Sequence, residues 1–344
     1  MPLPRYFNRV IWSPDLQQAC DSSLGLEVRR PALKRATDTY RLLTCWHIPP
    51  LHALVRSDQS QEGQPATLAL VRDLLAWGVP VDQEWQIPDQ RVLRPTTVMV
   101  EAAYRNQAEL VKGLLDLGAR VRFDEPRGAR TALVEGWVEA WASDAVGTLH
   151  DLKKATNDQE RTRWAQENQR ERQRAIENVL VPWLERGANP EGATSVQYPT
   201  LFSPPLTRIV DAHPNFSFNP ALALPAPVVE RTIDAFLSAG MRLDRLPVRE
   251  SNETNAFLVR LLKVATPAQL PQIALKIAWD QAPAGRRSWR EILSPSTEPS
   301  VQQALAHHDA YRQAQARRQG LAGWLAEPKG SENSLGRRGS RPRG

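Results

Sequence analysis

The sequence predicts an all-α chain built as a stack of helix pairs, and three observations predict it. A helix-end template closed by glycine recurs four times. Short proline- or threonine-led starts precede those ends. Between Gly147 and Pro182 lies a charged stretch with no glycine or proline, which reads as a helical insertion.

The template is seen in Leu74-Leu75-Ala76-Trp77-Gly78, Leu114-Leu115-Asp116-Leu117-Gly118, Trp183-Leu184-Glu185-Arg186-Gly187 and Phe236-Leu237-Ser238-Ala239-Gly240. Large apolar residues stand three and four positions before each glycine. Val71, Val111, Leu180 and Ile233 stand seven before it. Those offsets fall on one helical face. Glycine just past the helix supplies a left-handed cap that a Cβ would strain.

The elements follow in chain order. Residues 1–48 match no copy of the template and are expected to form an irregular N-terminal cap, with a helix over Pro31–Cys45. Met1–Pro14 has early prolines, Arg5 and Arg9, and no apolar run of secretory length. Pro49-Pro50-Leu51-His52-Ala53-Leu54 opens the first pair. Thr97-Val98-Met99-Val100, Thr131-Ala132-Leu133-Val134 and Pro204-Pro205-Leu206-Thr207 open later ones. Threonine can cap a first helix, and proline suits a first turn whose N–H groups are unpaired anyway. A fifth, degenerate pair is expected over Thr254–Asp280, with its second helix at Gln272–Asp280.

The body of the second pair, VEAAYRNQAELVKGLLDLGARV over Val100–Val121, resembles an ankyrin repeat. Ala102-Ala103, Glu109-Leu110-Val111, Leu114-Leu115 and Gly118-Ala119 follow the family pattern AAxxGHxEVVKLLLxxGAD. Pro49–Ala53 is similar to the family's TPLHxA. The resemblance covers about residues 49–280 and implies an ankyrin-type solenoid of stacked helix-turn-helix repeats. Against a repeat of about 33 residues, Gly78 and Gly118 are 40 apart. The array is therefore decorated with insertions, the largest at about 145–175.

The core of that insertion, Lys153–Arg174, is rich in Gln, Glu and Arg, with Asp158/Arg161 and Glu171/Arg174 at helical spacing. It reads as an extension of the third pair's second helix, paired with a continuation of the first. Two roles stay open for it, a solvated arm and a partner-binding finger; interleaved acids weigh against a nucleic-acid clamp. Pro182, inside that helix, predicts a kink.

Residues 281–344 hold 11 Lys and Arg against 5 Asp and Glu, which is the whole formal charge of +6; the preceding 280 residues hold 33 of each. A helix is expected over Val301–Leu325 and a disordered basic tail over Glu327–Gly344. The tail's arginines lack interleaved aromatics, which favours a solubilising role over a nucleic-acid or membrane contact. Eleven tryptophans are bulky fillers, and Trp77, Trp137, Trp141 and Trp183 fall within helical units.

The chemistry-bearing motifs are missing. There is no phosphate-binding GxxxxGK[ST] loop, HExxH, calcium loop or GxSxG elbow. Cys45, His47 and His52 suggest metal ligands without a fourth, and His52 has a structural role at the repeat start, bonding across the turn. His307-His308-Asp309 and His150-Asp151 are expected to be solvent-exposed. No catalytic residue, cofactor or metal is assigned. Two cysteines, and no run of 18 apolar residues, suit the cytoplasm and no membrane span.

The resemblance implies a protein-binding scaffold for an unidentified protein, using its concave face and inter-repeat fingers. The positions it marks as exposed contacts are Arg56, Ser57, Tyr104 and Arg105 at first-helix ends. The first finger contributes Glu84, Trp85 and Arg91, and the second Phe123 and Arg127. For Trp85 and Phe123 a second role is open, folding back over neighbouring helix ends. The alternative function class is an enzyme or effector whose active residues lie in 1–48 or 281–344. The oligomeric state is left open.

Overall fold

The computed structural model describes residues 12–40, 47–57, 63–86, 95–120, 154–190, 205–217, 222–244, 252–282 and 287–326, with a few single positions between. Its elements are α1 (Pro14–Cys20), α2 (Leu26–Tyr40), α3 (Pro50–Ser57), α4 (Gln64–Ala76), α5 (Val98–Tyr104) and α6 (Ala108–Asp116). α7 (Asp158–Ala175) runs on through a π-turn at Ile176–Leu180 into a lower limb, Val181–Glu185. There follow α8 (Pro205–Asp211), α9 (Ala226–Ser238), α10 (Asn252–Val264), α11 (Gln269–Lys276), α12 (Trp289–Leu293) and α13 (Pro299–Ala326). A two-residue antiparallel pairing, β1 (Trp85–Gln86) with β2 (Pro95–Thr96), ties off the finger before α5.

The four template glycines end their helices in one geometry. Gly78, Gly118, Gly187 and Gly240 have φ of 86°, 86°, 88° and 93°. In each, the glycine N–H and the next N–H reach back to consecutive carbonyls, as in Gly118 to Leu115 (3.1 Å) and Ala119 to Leu114 (2.9 Å). That double bond is the Schellman motif, and the residues whose carbonyls take the second bond, Leu74, Leu114, Trp183 and Phe236, are all buried. Asn106, at φ 55°, closes α5 in the same way.

The helices pack as pairs on pairs. Among first helices α1 meets α3, α3 meets α5, and α8 meets α10. Among second helices α2, α4, α6, the π-turn and lower limb of α7, α9 and α11 follow one another. The helical residues Val134, Trp137, Val138, Trp141 and Ala142 represent the third pair's first helix, and the Trp137 indole donates to the Ala103 carbonyl (2.7 Å). Leu51, Leu54, Leu70, Leu74, Leu110, Leu114, Trp183 and Phe236 are buried in one continuous core. Polar rungs set the register. Gln64 accepts from the Glu109 N–H at the start of α6, and ion pairs link Arg30 to Asp73, Asp116 to Arg186 and Asp211 to Arg260. Exposed pairs of this kind contribute about 0–1 kcal/mol each, so they specify alignment more than stability.

Several expectations are corrected. Residues 14–40 are not irregular: α1 and α2 form a further helix pair, α2 begins at Leu26, and it carries Pro31 within it. The last pair's second helix is Gln269–Lys276 instead of Gln272–Asp280, with Pro271 in its first turn, where no N–H partner is lost. The Pro182 defect is a π-turn: the Val181 N–H bonds to the Ile176 carbonyl, five residues back, just where proline breaks the ordinary ladder. His307 and His308 are half-buried, and Asp309 pairs with Arg290, which also holds Asp280 (both 2.6 Å or shorter). The Arg290 guanidinium is held charged by those two carboxylates, and each carboxyl lies below its ordinary range because of it. The basic tail, Cys45, His150 and Asp151 lie outside the described residues.

The insertion is a long helix, as its composition predicts. Asn157 caps it by accepting from the Glu160 N–H (2.8 Å), and Asp158 pairs with Arg161. Its outer turns are largely exposed, while Arg172, Ala175 and Ile176 are buried where it joins the stack. Trp137, Trp141 and Trp183 are buried as fillers; Trp77 is half-buried beneath Lys34.

Candidate functional site

The junction between the first two array pairs brings together the buried side chains of His52, Arg56, Glu101 and Trp85. α3 contributes His52 and Arg56, α5 contributes Glu101, and the finger contributes Gln83 and Trp85. Helical spacing explains the first two: His52 and Arg56 are four apart and share one face of α3. Glu101 sits between Val98 and Ala102 on an apolar helix, so its carboxylate needs a partner inside.

Arg56 meets Glu101 as a fork, Nε to Oε2 at 2.7 Å and Nη2 to Oε1 at 2.8 Å. His52 Nδ1 lies 3.2 Å from Glu101 Oε1, and its Nε2 lies 2.8 Å from the Gln83 carbonyl. The Trp85 ring covers both, 4.5 Å from the Arg56 guanidinium carbon and 5.6 Å from the His52 ring centre. Arg105 donates to the Arg56 carbonyl (3.3 Å), and Gln107 to the Val55 carbonyl (2.8 Å). Burial acts to raise the Glu101 pKa, but the hydrogen bonds and charges of His52 and Arg56 outweigh it and hold the carboxyl below its ordinary range. Burial, then the charge of Arg56, lowers the Arg105 pKa against the pull of Glu101.

This geometry revises the expected contact surface. Arg56, 8% exposed, and Trp85, 4% exposed, are interior groups; the finger folds back over the helix ends. The reason is Glu101, which draws Arg56 inward, and the cation that Trp85 then covers. Ser57 is half-buried and donates to the Leu54 carbonyl. It also hydrogen-bonds Cys20, whose buried thiol is pushed up to about 11. Glu84 is exposed and Arg105 half-buried, so these two remain at the surface edge. Tyr104 ends α5, but its side chain lies outside the described residues, as do Arg91, Phe123 and Arg127.

Trp85 carries its indole N–H, and Gln83 its amide oxygen, into the interior without hydrogen-bond partners. Each such group costs about 1–3 kcal/mol. Ring packing and the bond between His52 and the Gln83 carbonyl seat this part of the finger, and Asp82 beside it accepts from the Arg120 N–H (2.8 Å). Glu101 and Gln83 were not singled out from the sequence. An acid at core spacing in α5 was the available signal for Glu101; Gln83 acts through its backbone carbonyl, which no side-chain pattern announces.

Among the described residues no group of three His, Cys, Asp or Glu could hold a metal ion, and no helix is long and apolar enough to cross a membrane. A small cleft near the first pair is lined by Leu16, Ala36, Tyr40, His47 and Ile48. Set against protein-family models, curated proteins and solved structures, the chain matches none.

Proposed function

We propose that this chain is a divergent ankyrin-type array and serves as a protein-binding scaffold of the cytoplasm, not as an enzyme. The observation that carries the reading is the recurrence of one helix end: four glycines, each left-handed and each closing a double back-bond, on helices that stack in sequence order. Repeats that bury their faces only on one another leave a repeated edge of helix ends and fingers on the outside. On such an edge the side chains differ from pair to pair, which is what selective recognition of a protein requires. Glu84 and Arg105 are the notable charged residues available there at the first junction.

The test is capture from the source cell with full-length protein, comparing the natural chain with Glu84→Arg, Arg105→Glu and a chain lacking 158–171. Loss of a specific protein in the two charge reversals, with unchanged melting temperature, supports the edge as the contact. Should the arm deletion abolish capture while both reversals retain it, the edge reading fails and the arm is the recognition element.

A further inference from the structure

We infer that His213 is an acid-sensitive cap: its neutral ring holds the turn that follows α8, and a second proton on that ring releases the turn. Three consecutive backbone N–H groups converge on this residue. The Asn215 N–H donates to ring Nδ1 (3.1 Å), and the Phe216 and Ser217 N–H groups donate to the His213 carbonyl (both 2.9 Å). A backbone N–H can only donate, so Nδ1 must offer its lone pair and the ring's single proton sits on Nε2. Protonation puts hydrogen on both nitrogens. The Asn215 N–H then loses its acceptor, and no rotation of the ring restores it, because an imidazolium has no ring lone pair left to offer.

The surroundings favour the neutral form. His213 is 7% exposed, and its ring lies against Phe216, with 6.0 Å between ring centres. Burial lowers its pKa; the charge of Glu230 on α9 pulls the other way and does not prevail. α8 packs on α9 and α10, and among their described residues the other charges are paired elsewhere or exposed. Asp211 pairs with Arg260, Arg231 with Glu185 and Lys263 with Glu298, while Arg208 and Asp234 are exposed. The folded chain thus resists a proton that the unfolded chain accepts. The cap's contribution to stability is present in full above the ordinary imidazole range and is lost as pH falls through it.

The capped turn adjoins the arm. The Leu224 N–H bonds to the carbonyl of Ala212, the residue before His213 (2.8 Å), and the Ala223 carbonyl accepts from Gln169 of α7 (2.7 Å). His213 therefore stands at the foot of a brace between the arm and the approach to α9. This goes beyond the scaffold proposal and stands whether or not a partner binds.

Magnetic resonance of the full-length protein labelled with ¹³C and ¹⁵N tests this, with the His213 ring assigned through its own backbone. At pH 8 His213 is expected to show a bare Nδ1 and a hydrogen-bearing Nε2. As pH is lowered, the arrival of hydrogen at Nδ1 should coincide with a rise of about tenfold or more in hydrogen exchange at the Asn215 amide, after correction for the pH dependence of intrinsic exchange. His213→Asn is the control, because an asparagine side-chain carbonyl accepts from the N–H two residues on and takes up no proton in this range. Its Asn215 exchange should stay low throughout. Hydrogen on Nδ1 at pH 8, or Asn215 exchange that ignores its later arrival, overturns the proposal. An equal acid response in His213→Asn overturns it too, by assigning the release to another group. The spectrum and exchange of the natural chain decide even if the variant fails to fold.

Discussion

Arg172 and Trp141 hold each other in both directions. The Trp141 indole N–H donates to the Arg172 carbonyl (3.3 Å), and the Arg172 guanidinium donates to the Trp141 carbonyl (3.1 Å). The guanidinium carbon also lies 3.9 Å from the indole ring centre. This clamp fastens the base of α7 to the first helix of its own pair, and from there the exposed arm extends.

Removing the clamp should loosen the arm without dissolving the stack. Arg172→Ala is expected to cost about 1–3 kcal/mol, the range for a buried charged hydrogen bond with a cation–π contact. Hydrogen exchange should rise at residues 158–176 and stay unchanged in α3 to α6. Uniform exchange across the chain would show that the clamp is not local.

The glycine caps allow a nearly pure test of backbone strain. A Cβ built on Gly78, Gly118, Gly187 or Gly240 meets nothing within 4 Å, so no clash contributes. Gly118→Ala should therefore cost about 1–2 kcal/mol, the penalty of the left-handed conformation alone. Gly187→Ala should match it closely in urea unfolding. A neutral result at either would mean that helix does not end in the left-handed cap.

Glu101 makes stability depend on acid. Its folded pKa is lowered, so its contribution is present above the unfolded carboxyl value and is lost as pH falls through the folded one. The natural chain should lose stability relative to Glu101→Gln on acidification, and exceed it near neutrality. Arg56→Ala, which strands the buried carboxylate, should cost about 3–5 kcal/mol. Parallel pH profiles for the natural chain and Glu101→Gln would contradict the pairing.

Trp85→Ala should report on folding before it reports on binding. The side chain is 4% exposed, and truncating a buried aromatic costs about 3–5 kcal/mol. A drop in thermal midpoint should accompany any loss of partner capture. Unchanged stability would return Trp85 to the surface, where the family resemblance first put it.

Arg290 anchors α13 through charge, and the anchor should respond to salt. It pairs with Asp309 of α13 and with Asp280, which also holds Arg312. Arg290 is 30% and Asp309 46% exposed, so Arg290→Ala should cost roughly 1 kcal/mol or less, shrinking further at high ionic strength. Limited proteolysis between α12 and α13 should be faster in the variant than in the natural chain at low salt, and the difference should shrink as salt is added. No change there would mean that Val301, Ala304 and Leu305 hold the helix by burial alone.

Much of this architecture is local and was legible in the sequence. Apolar residues three, four and seven before a glycine determine a helix face and its stop, because helix periodicity and the left-handed cap act over one or two turns. The arm followed from helix-forming composition without glycine or proline. His52 is expected to bond across its own turn; its partners are instead the Gln83 carbonyl and Glu101, 31 and 49 residues along the chain. What the tertiary structure alone decided depends on groups about 45 residues apart. Nothing near Arg56 in the chain says that Glu101 will stand 2.7 Å away, so the sequence by itself leaves Arg56 at the surface. Trp85 had two open roles, and the buried cation beneath it selected one. Residues 14–40 show no glycine-closed template, yet they pair and stack, since a solenoid end accepts any helix pair whose apolar face fits. Periodicity determines which face of a helix is apolar; only the neighbour that covers it determines which charges go inside.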